Sequence, residues 1–493
     1  MSLAQRTVKG VFWAYITFFS GRFVTLITTV ILARILVPAD FGLIGWALLC
    51  LGFIEATRDF GIMDALIYTS ERIEDSADTA FWSNIGIGIL QFAVAYIAAP
   101  LSLYFIDDPR IVDILRVMSL VFILNSLGNT HDALLQKDLK FRLRYMPMLY
   151  SAFIKGVASV ILAFLGFGVW SLVLGHVIGA VVRLVARWLL IDWRPRFRFF
   201  MDRARALWGY GIYILLFSVL EIALEFADQL IIGILLGEVQ LGYYTIAARI
   251  PEMLILNFSM VLGRVIFPTF VRMKDDLANL TLGFLTTTKY TALITVPASL
   301  GLVAVAPELV YLFFGPQWSQ AIPFFRVLSL LAMVGTLSWS AGDVFKAVGR
   351  PDISTKLLVV EALYTFPIIW MFGTMTGNAV MASVGNLIAA CISMLLRLGL
   401  VAYFLKATPT LYTGVFRSAL FGAFTMFGAV LLWRSQIPAW GTFPTLVSSV
   451  VVGIVIYVPI LWLLERDELW AARDMLVSIL RRDTTASIET VES

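Results

Sequence analysis

Charge is scarce in this sequence. Asp, Glu, Lys and Arg make up 14% of the 493 residues, against about 25% in soluble proteins. Cysteine and histidine are scarcer, with two of each. Cys50 and Cys391 lie far apart, each inside an apolar run. That excludes a disulfide framework, and both read as small core residues. His131 and His176 are too few for a zinc site or a histidine relay. No Walker loop, nucleophile elbow or Gly-rich phosphate loop occurs. No long polar segment exists from which a soluble domain or an ATPase could be built. The first apolar run lacks a small-residue cleavage site, so it reads as a retained helix and not a signal peptide.

What fills the chain is hydrocarbon. Hydrophobic residues make up 60% of it, and the mean hydropathy is +0.88. The apolar runs predict an all-α polytopic membrane protein with about fourteen spans. Alternate loops differ in charge. "QKDLKFRLRY", "DWRPRFRFFMDRARAL" and "KAVGRPDISTK" are basic, whereas "VPAD", "GEVQ", "LGFG" and "GTMTGN" are not. Roughly twenty Lys and Arg fall on one side and about three on the other, which places both termini in the cytoplasm. These loops account for the net charge of +4 without nucleic acid. In the tail, Leu469, Ala472, Leu476, Ile479 and Leu480 share a helical face, so residues 465–493 are expected to form an amphipathic helix on the inner surface.

The chain also repeats itself. "ARILVPADFGLIGWA" (33–47) aligns without gaps with "GILLGEVQLGYYTIA" (233–247), matching Leu36 to Leu236, Gly42 to Gly242 and Ala47 to Ala247. "LRVMSLVFILNSL" (115–127) aligns with "FRVLSLLAMVGTL" (325–337), matching Arg116 to Arg326 and Ser119 to Ser329. Both matches come in the same order, which is the mark of a long-period duplication. An even number of spans separates the partners, so the copies share an orientation. The expectation is two six-helix lobes, 1–206 and 207–408, related by a pseudo-two-fold axis along the membrane normal. An extra helix pair over 409–464 stands outside the duplication.

Ionisable residues inside spans cost at least about 2.5–3.5 kcal/mol in hydrocarbon, so they should face a cavity or a partner. They gather in the first two helices of each lobe: Arg22, Glu55, Arg58, Asp59, then Glu221, Glu225, Asp228, Arg249, Glu252 and Arg264. The four arginines would make a cavity cationic, and arginine grips phosphate through two parallel hydrogen bonds. Alternatively each arginine balances a nearby acid. Glu55 with Arg58 and Arg249 with Glu252 have the i,i+3 spacing for that. Glu221, Glu225 and Asp228 form an acidic stripe, readable as an ion-coupling site or as partners for the arginines. No ATPase domain is attached, so the driving force is expected from Na+, H+, the membrane potential or the substrate gradient, with no cofactor.

"LARILVPADFGLI", "DFGI" (59–62), "ADQLIIGILLGEVQLGYYTIAARI", "GRVIFPTF" and "FFGPQWSQAIPFFRVLSL" together resemble the bacterial polysaccharide flippases of the multidrug/oligosaccharidyl-lipid/polysaccharide exporter superfamily. The resemblance covers roughly residues 1–465. It implies alternating-access transfer of an undecaprenyl-diphosphate-linked oligosaccharide across the inner membrane for exopolysaccharide or lipopolysaccharide assembly. It further implies diphosphate contacts at Arg22, Arg58 and Arg249, with Arg264 as a further candidate, and a polymerase or biosynthetic complex as partner to a monomeric flippase in membrane lipid. Rival readings are an ion-coupled drug/cation antiporter, a lipid II flippase and, more distantly, a membrane glycosyltransferase or polymerase. The short outer loops speak against the last, since a catalytic site needs longer connections.

Overall fold

The computed structural model describes residues 3–55, 62, 63, 66, 73–138, 140–201, 219–406, 410–437 and 441–466. Helices dominate, and no strand occurs among the described residues. In chain order they are α1 (Leu3–Ile35), α2 (Pro38–Glu55), α3 (Ile73–Ala98), α4 (Arg110–Lys137), α5 (Phe141–Phe164), α6 (Val169–Leu190), α7 (Ala227–Pro251), α8 (Asn257–Met273), α9 (Leu277–Ala304) and α10 (Ala306–Phe313). Then come α11 (Ala321–Ser338), α12 (Ser340–Ala347), α13 (Pro351–Thr376), α14 (Ala379–Leu405), α15 (Thr410–Gln436) and α16 (Thr442–Leu464).

Eleven helices among the described residues are long and apolar enough to cross a membrane, or twelve if α9 and α10, bent by 71°, form one span. Among the described residues the expected count of fourteen is therefore not reached. The difference falls on α1 and on the predicted seventh and eighth spans. Part of the seventh, 208–218, lies outside the described residues, and its end runs into the eighth as α7. Gly237 marks the boundary between them inside α7, with φ 82° and ψ 177°. That backbone is open to glycine and strained for any side chain, so the predicted loop "GEVQ" shrinks to a kink. The tail beyond residue 466 also lies outside the described residues.

The chain forms two compact units. One comprises Met1–Met253, Phe313–Leu328 and Asp352–Cys391; the other comprises Leu254–Leu312, Ser329–Pro351 and Ile392–Ser493. These borders differ from the lobe borders at 206/207 and 408/409, because α7 packs against α2 in the first unit.

That packing carries the repeat into three dimensions. A methyl group at Gly42 would collide with the backbone carbonyl of Glu238, and one at Gly242 with that of Pro38. Adding 200 to 38 and 42 gives 238 and 242, so the alignment exchanges the two contacts. The crossing of α2 and α7 is thus locally two-fold, with backbones in contact where a side chain would hold them apart. The segment "FFGPQWSQ" caps it. The Trp318 ring is fully buried, edge-on to Phe41 at 5.4 Å and Tyr243 at 5.9 Å. Its Nε1 and Gln317 Nε2 both donate to the Ala33 carbonyl, at 2.8 and 2.9 Å. Beside the crossing, Arg110 grips Asp108 at 2.6 Å and holds that carboxyl below its ordinary range.

In the second unit the extra helix pair packs on α9. Ala292, Ala304, Ala419 and Ala423 are buried together with Val296, Leu300 and Met426. Small side chains let these helices approach closely. Tyr457 donates to the Leu293 carbonyl at 2.7 Å. Two ion pairs close the ends: Lys289 with Glu465 at 2.8 Å, and Arg434 with Glu308 at 2.6 Å.

A candidate anion site and its acidic surroundings

Three helices of the first unit bring cations together. α5 and α6 cross through Gly175 and Gly179, where Ser151 Oγ donates to the Gly179 carbonyl at 2.7 Å. Lys155 lies against Gly179, and its Nζ meets His176 Nε2 at 2.8 Å. Arg183 follows His176 by seven residues, two helical turns along the same face of α6. Arg183 and Arg249 both lie within electrostatic reach of Lys155. The Nε atoms of Arg183 and Arg249 are buried without a hydrogen-bond partner among the described residues. Among the described residues no carboxylate is ion-paired with Lys155, Arg183 or Arg249.

The arginines expected from the sequence fall out as follows. Arg22 is exposed on α1, and Glu252 feels both it and Arg249. Arg249 makes no ion pair with Glu252 despite their spacing. A π-helical turn begins at Glu252 and alters the pitch there. Arg58 lies outside the described residues, as does the side chain of Arg264, whose backbone belongs to α8. Glu55, at the end of α2, feels the charge of Arg183. Sequence reasoning missed Arg183 and His176 and passed over Lys155. The seven-residue spacing on α6 was the available signal.

The acidic stripe divides. Glu221 and Glu225 are exposed in a helical stretch that turns at Phe226. Asp228, beyond that turn, is 1% exposed and accepts from three donors. These are Tyr244 Oη at 2.5 Å, Asn386 Nδ2 at 2.8 Å and the Gln229 amide at 2.8 Å. Its carboxylate ties the two halves of α7 to each other and to α14. Asp132 does similar work at the other end, accepting from Arg144 and Arg187 at 3.0 Å each. No cluster of metal-ligating side chains occurs among the described residues. The second unit contributes an apolar groove of 430 Å³, lined by residues including Gly301, Val305, Met426, Gly453 and Tyr457.

Comparison with known proteins bears on the family and the fold. The lipopolysaccharide biosynthesis protein WzxC of Escherichia coli is 26% identical over 92% of this chain and 89% of its own length. The succinoglycan biosynthesis transport protein ExoT of Rhizobium meliloti is 27% identical over 96% of both chains. Among solved structures, the lipid II flippase MurJ in an inward closed conformation superposes with a TM-score of 0.75 at 15% identity, over 92% of this chain and 99% of that one. An inward-facing multidrug resistance MATE family transporter gives 0.65 at 16% identity, over 79% of this chain and 96% of that one. These likenesses show the fold. Residues 31–323 match the family described as polysaccharide biosynthesis protein, and the chain belongs to that family.

Proposed function

We propose that the protein is a flippase of the bacterial inner membrane that moves an undecaprenyl-diphosphate-linked oligosaccharide between leaflets. The observation that carries this reading is the set Lys155, Arg183 and Arg249. These cations are held in a span-rich unit with no ion-paired carboxylate among the described residues. Cations placed in hydrocarbon without partners are costly, and a bound diphosphate would offset that cost through charge-assisted hydrogen bonds. Arg22 extends the cationic surface along α1, and Arg58 and Arg264 remain candidates for the same role. The names of WzxC, a lipopolysaccharide biosynthesis protein, and ExoT, a succinoglycan biosynthesis transport protein, support a polysaccharide precursor as cargo. The word transport in ExoT's name also favours a transporter over an enzyme.

Asp228, saturated by three donors, acts as a structural pin. Glu225, which feels the charges of Glu221 and Glu252, is left together with those two to respond to a Na+ or H+ gradient. The basic loops put both termini in the cytoplasm.

Equilibrium binding of a fluorescent polyprenyl diphosphate to the purified protein tests the site. Arg183→Ala and Arg249→Ala should each weaken binding by about ten-fold or more, since a hydrogen bond to a charged group contributes about 1.5–3 kcal/mol. A protein that ignores this ligand but exports cationic dyes under an ion gradient would be an antiporter instead.

A further inference from the structure

One feature of the cationic cluster is chemically odd: a lysine hydrogen-bonded to a histidine. His176 Nδ1 faces the Leu172 carbonyl at 3.1 Å, one turn back along α6. A carbonyl only accepts, so Nδ1 carries the hydrogen. Nε2 faces Lys155 Nζ at 2.8 Å. Protonating Nε2 would set two donors head to head, so the ring is neutral and the lysine donates. The groups around the pair confirm the imbalance. Arg183 on α6 and Arg249 on α7 add positive charge. Arg22 lies on α1, which packs against α5. Glu55 on α2 acts on Arg183, as does Asp132 on α4, which is already committed to Arg144 and Arg187. Neither carboxylate is hydrogen-bonded to Lys155 or His176.

We propose that the Lys155–His176 pair couples anion binding at this site to the uptake of one proton. An anion arriving at Lys155 draws Nζ away from the imidazole. Nε2 then takes a proton from solvent and becomes a second donor to the anion. When the anion leaves, Nζ returns and the proton is released. His176 is in this sense a second anion contact whose protonation answers to Lys155. The inference rests on the reading of the cluster as an anion site, and it makes occupancy of that site pH-dependent.

Calorimetric titration of the full-length protein with sulfate tests it, because sulfate keeps its charge while a histidine titrates between about pH 5 and pH 8. Repeating the titration in two buffers of unlike protonation heat counts the protons. The expected result is net proton uptake on binding, with affinity rising as pH falls by up to about ten-fold per unit. His176→Gln, which can accept from Lys155 but cannot be protonated, should lose both the uptake and the pH dependence. Lys155→Gln, which keeps the imidazole but loses the ammonium, should bind more weakly. Sulfate binding without uptake in the wild type, or with the same uptake in His176→Gln, overturns the proton coupling and leaves the anion site standing. No sulfate binding by the wild type at any pH in the window overturns both.

Discussion

Asp228 shows how much a single buried carboxylate can organise. It is fully enclosed, and each of its partners would be left with unmet hydrogen-bonding capacity if it were removed. Tyr244→Phe deletes one bond to a charged acceptor and should lower stability by about 1.5–3 kcal/mol, read from unfolding in detergent micelles. The Arg434–Glu308 pair, with side chains 20% and 12% exposed, should behave differently. Removing one partner strands the other, so Arg434→Met should cost about 3–5 kcal/mol, whereas replacing both residues with apolar ones should recover most of it. Arg22 and Arg249 were legible in the sequence because a charge interrupts an apolar run. Lys155 was visible for the same reason, but nothing in the sequence joins it to His176, since the pairing depends on how α5 crosses α6. Arg183 stands seven residues from the end of its helix, where a long side chain can reach the interface, and this hid its membership of the cluster.

Among the elements, the crossing of α2 and α7 is the most demanding. Gly42→Ala and Gly242→Ala should each cost about 1–3 kcal/mol, because the added methyl meets backbone and not a yielding side chain. The local two-fold predicts similar costs at the two positions. Gly86→Ala on α3, where nothing lies within 4 Å, should be neutral or slightly stabilising, and all three can be compared by thermal unfolding. The start of α9 has a different weakness. Asp276 caps it by accepting from the Ala278 and Asn279 amides, both at 3.1 Å, which holds its carboxyl below the ordinary value of 3.8. A lowered carboxyl stabilises the fold above its ordinary value and loses that contribution as pH falls through the lowered one. Hydrogen exchange should therefore find the first turn of α9 fraying at acid pH, and in Asp276→Ala at neutral pH as well. The duplication told which residues correspond but not that the copies touch each other. The alternating reading of the loops gave a turn at 237–240 but could not show that a single glycine suffices for it.

For the molecule as a whole, composition alone carried the fold class: too little charge for a soluble chain and enough apolar runs to fill a bilayer many times. The described residues give eleven or twelve spans against the expected fourteen, because part of the predicted seventh lies outside them and its end continues into α7. The family came through the order of short motifs, and "FFGPQWSQ" now has a physical role as the cap on the helix crossing. The chemistry of the cargo is what the cationic cluster asserts, and one measurement addresses it most directly. Purified protein in liposomes can be followed as it transfers a fluorescent polyprenyl-diphosphate oligosaccharide from one leaflet to the other, beside Arg249→Ala and the folded control Gly86→Ala. Transfer by the wild type and the control, with loss of at least about ten-fold in Arg249→Ala, is the predicted result. Transfer that survives unchanged in Arg249→Ala would contradict the anion site, and absence of transfer by the wild type would contradict the flippase.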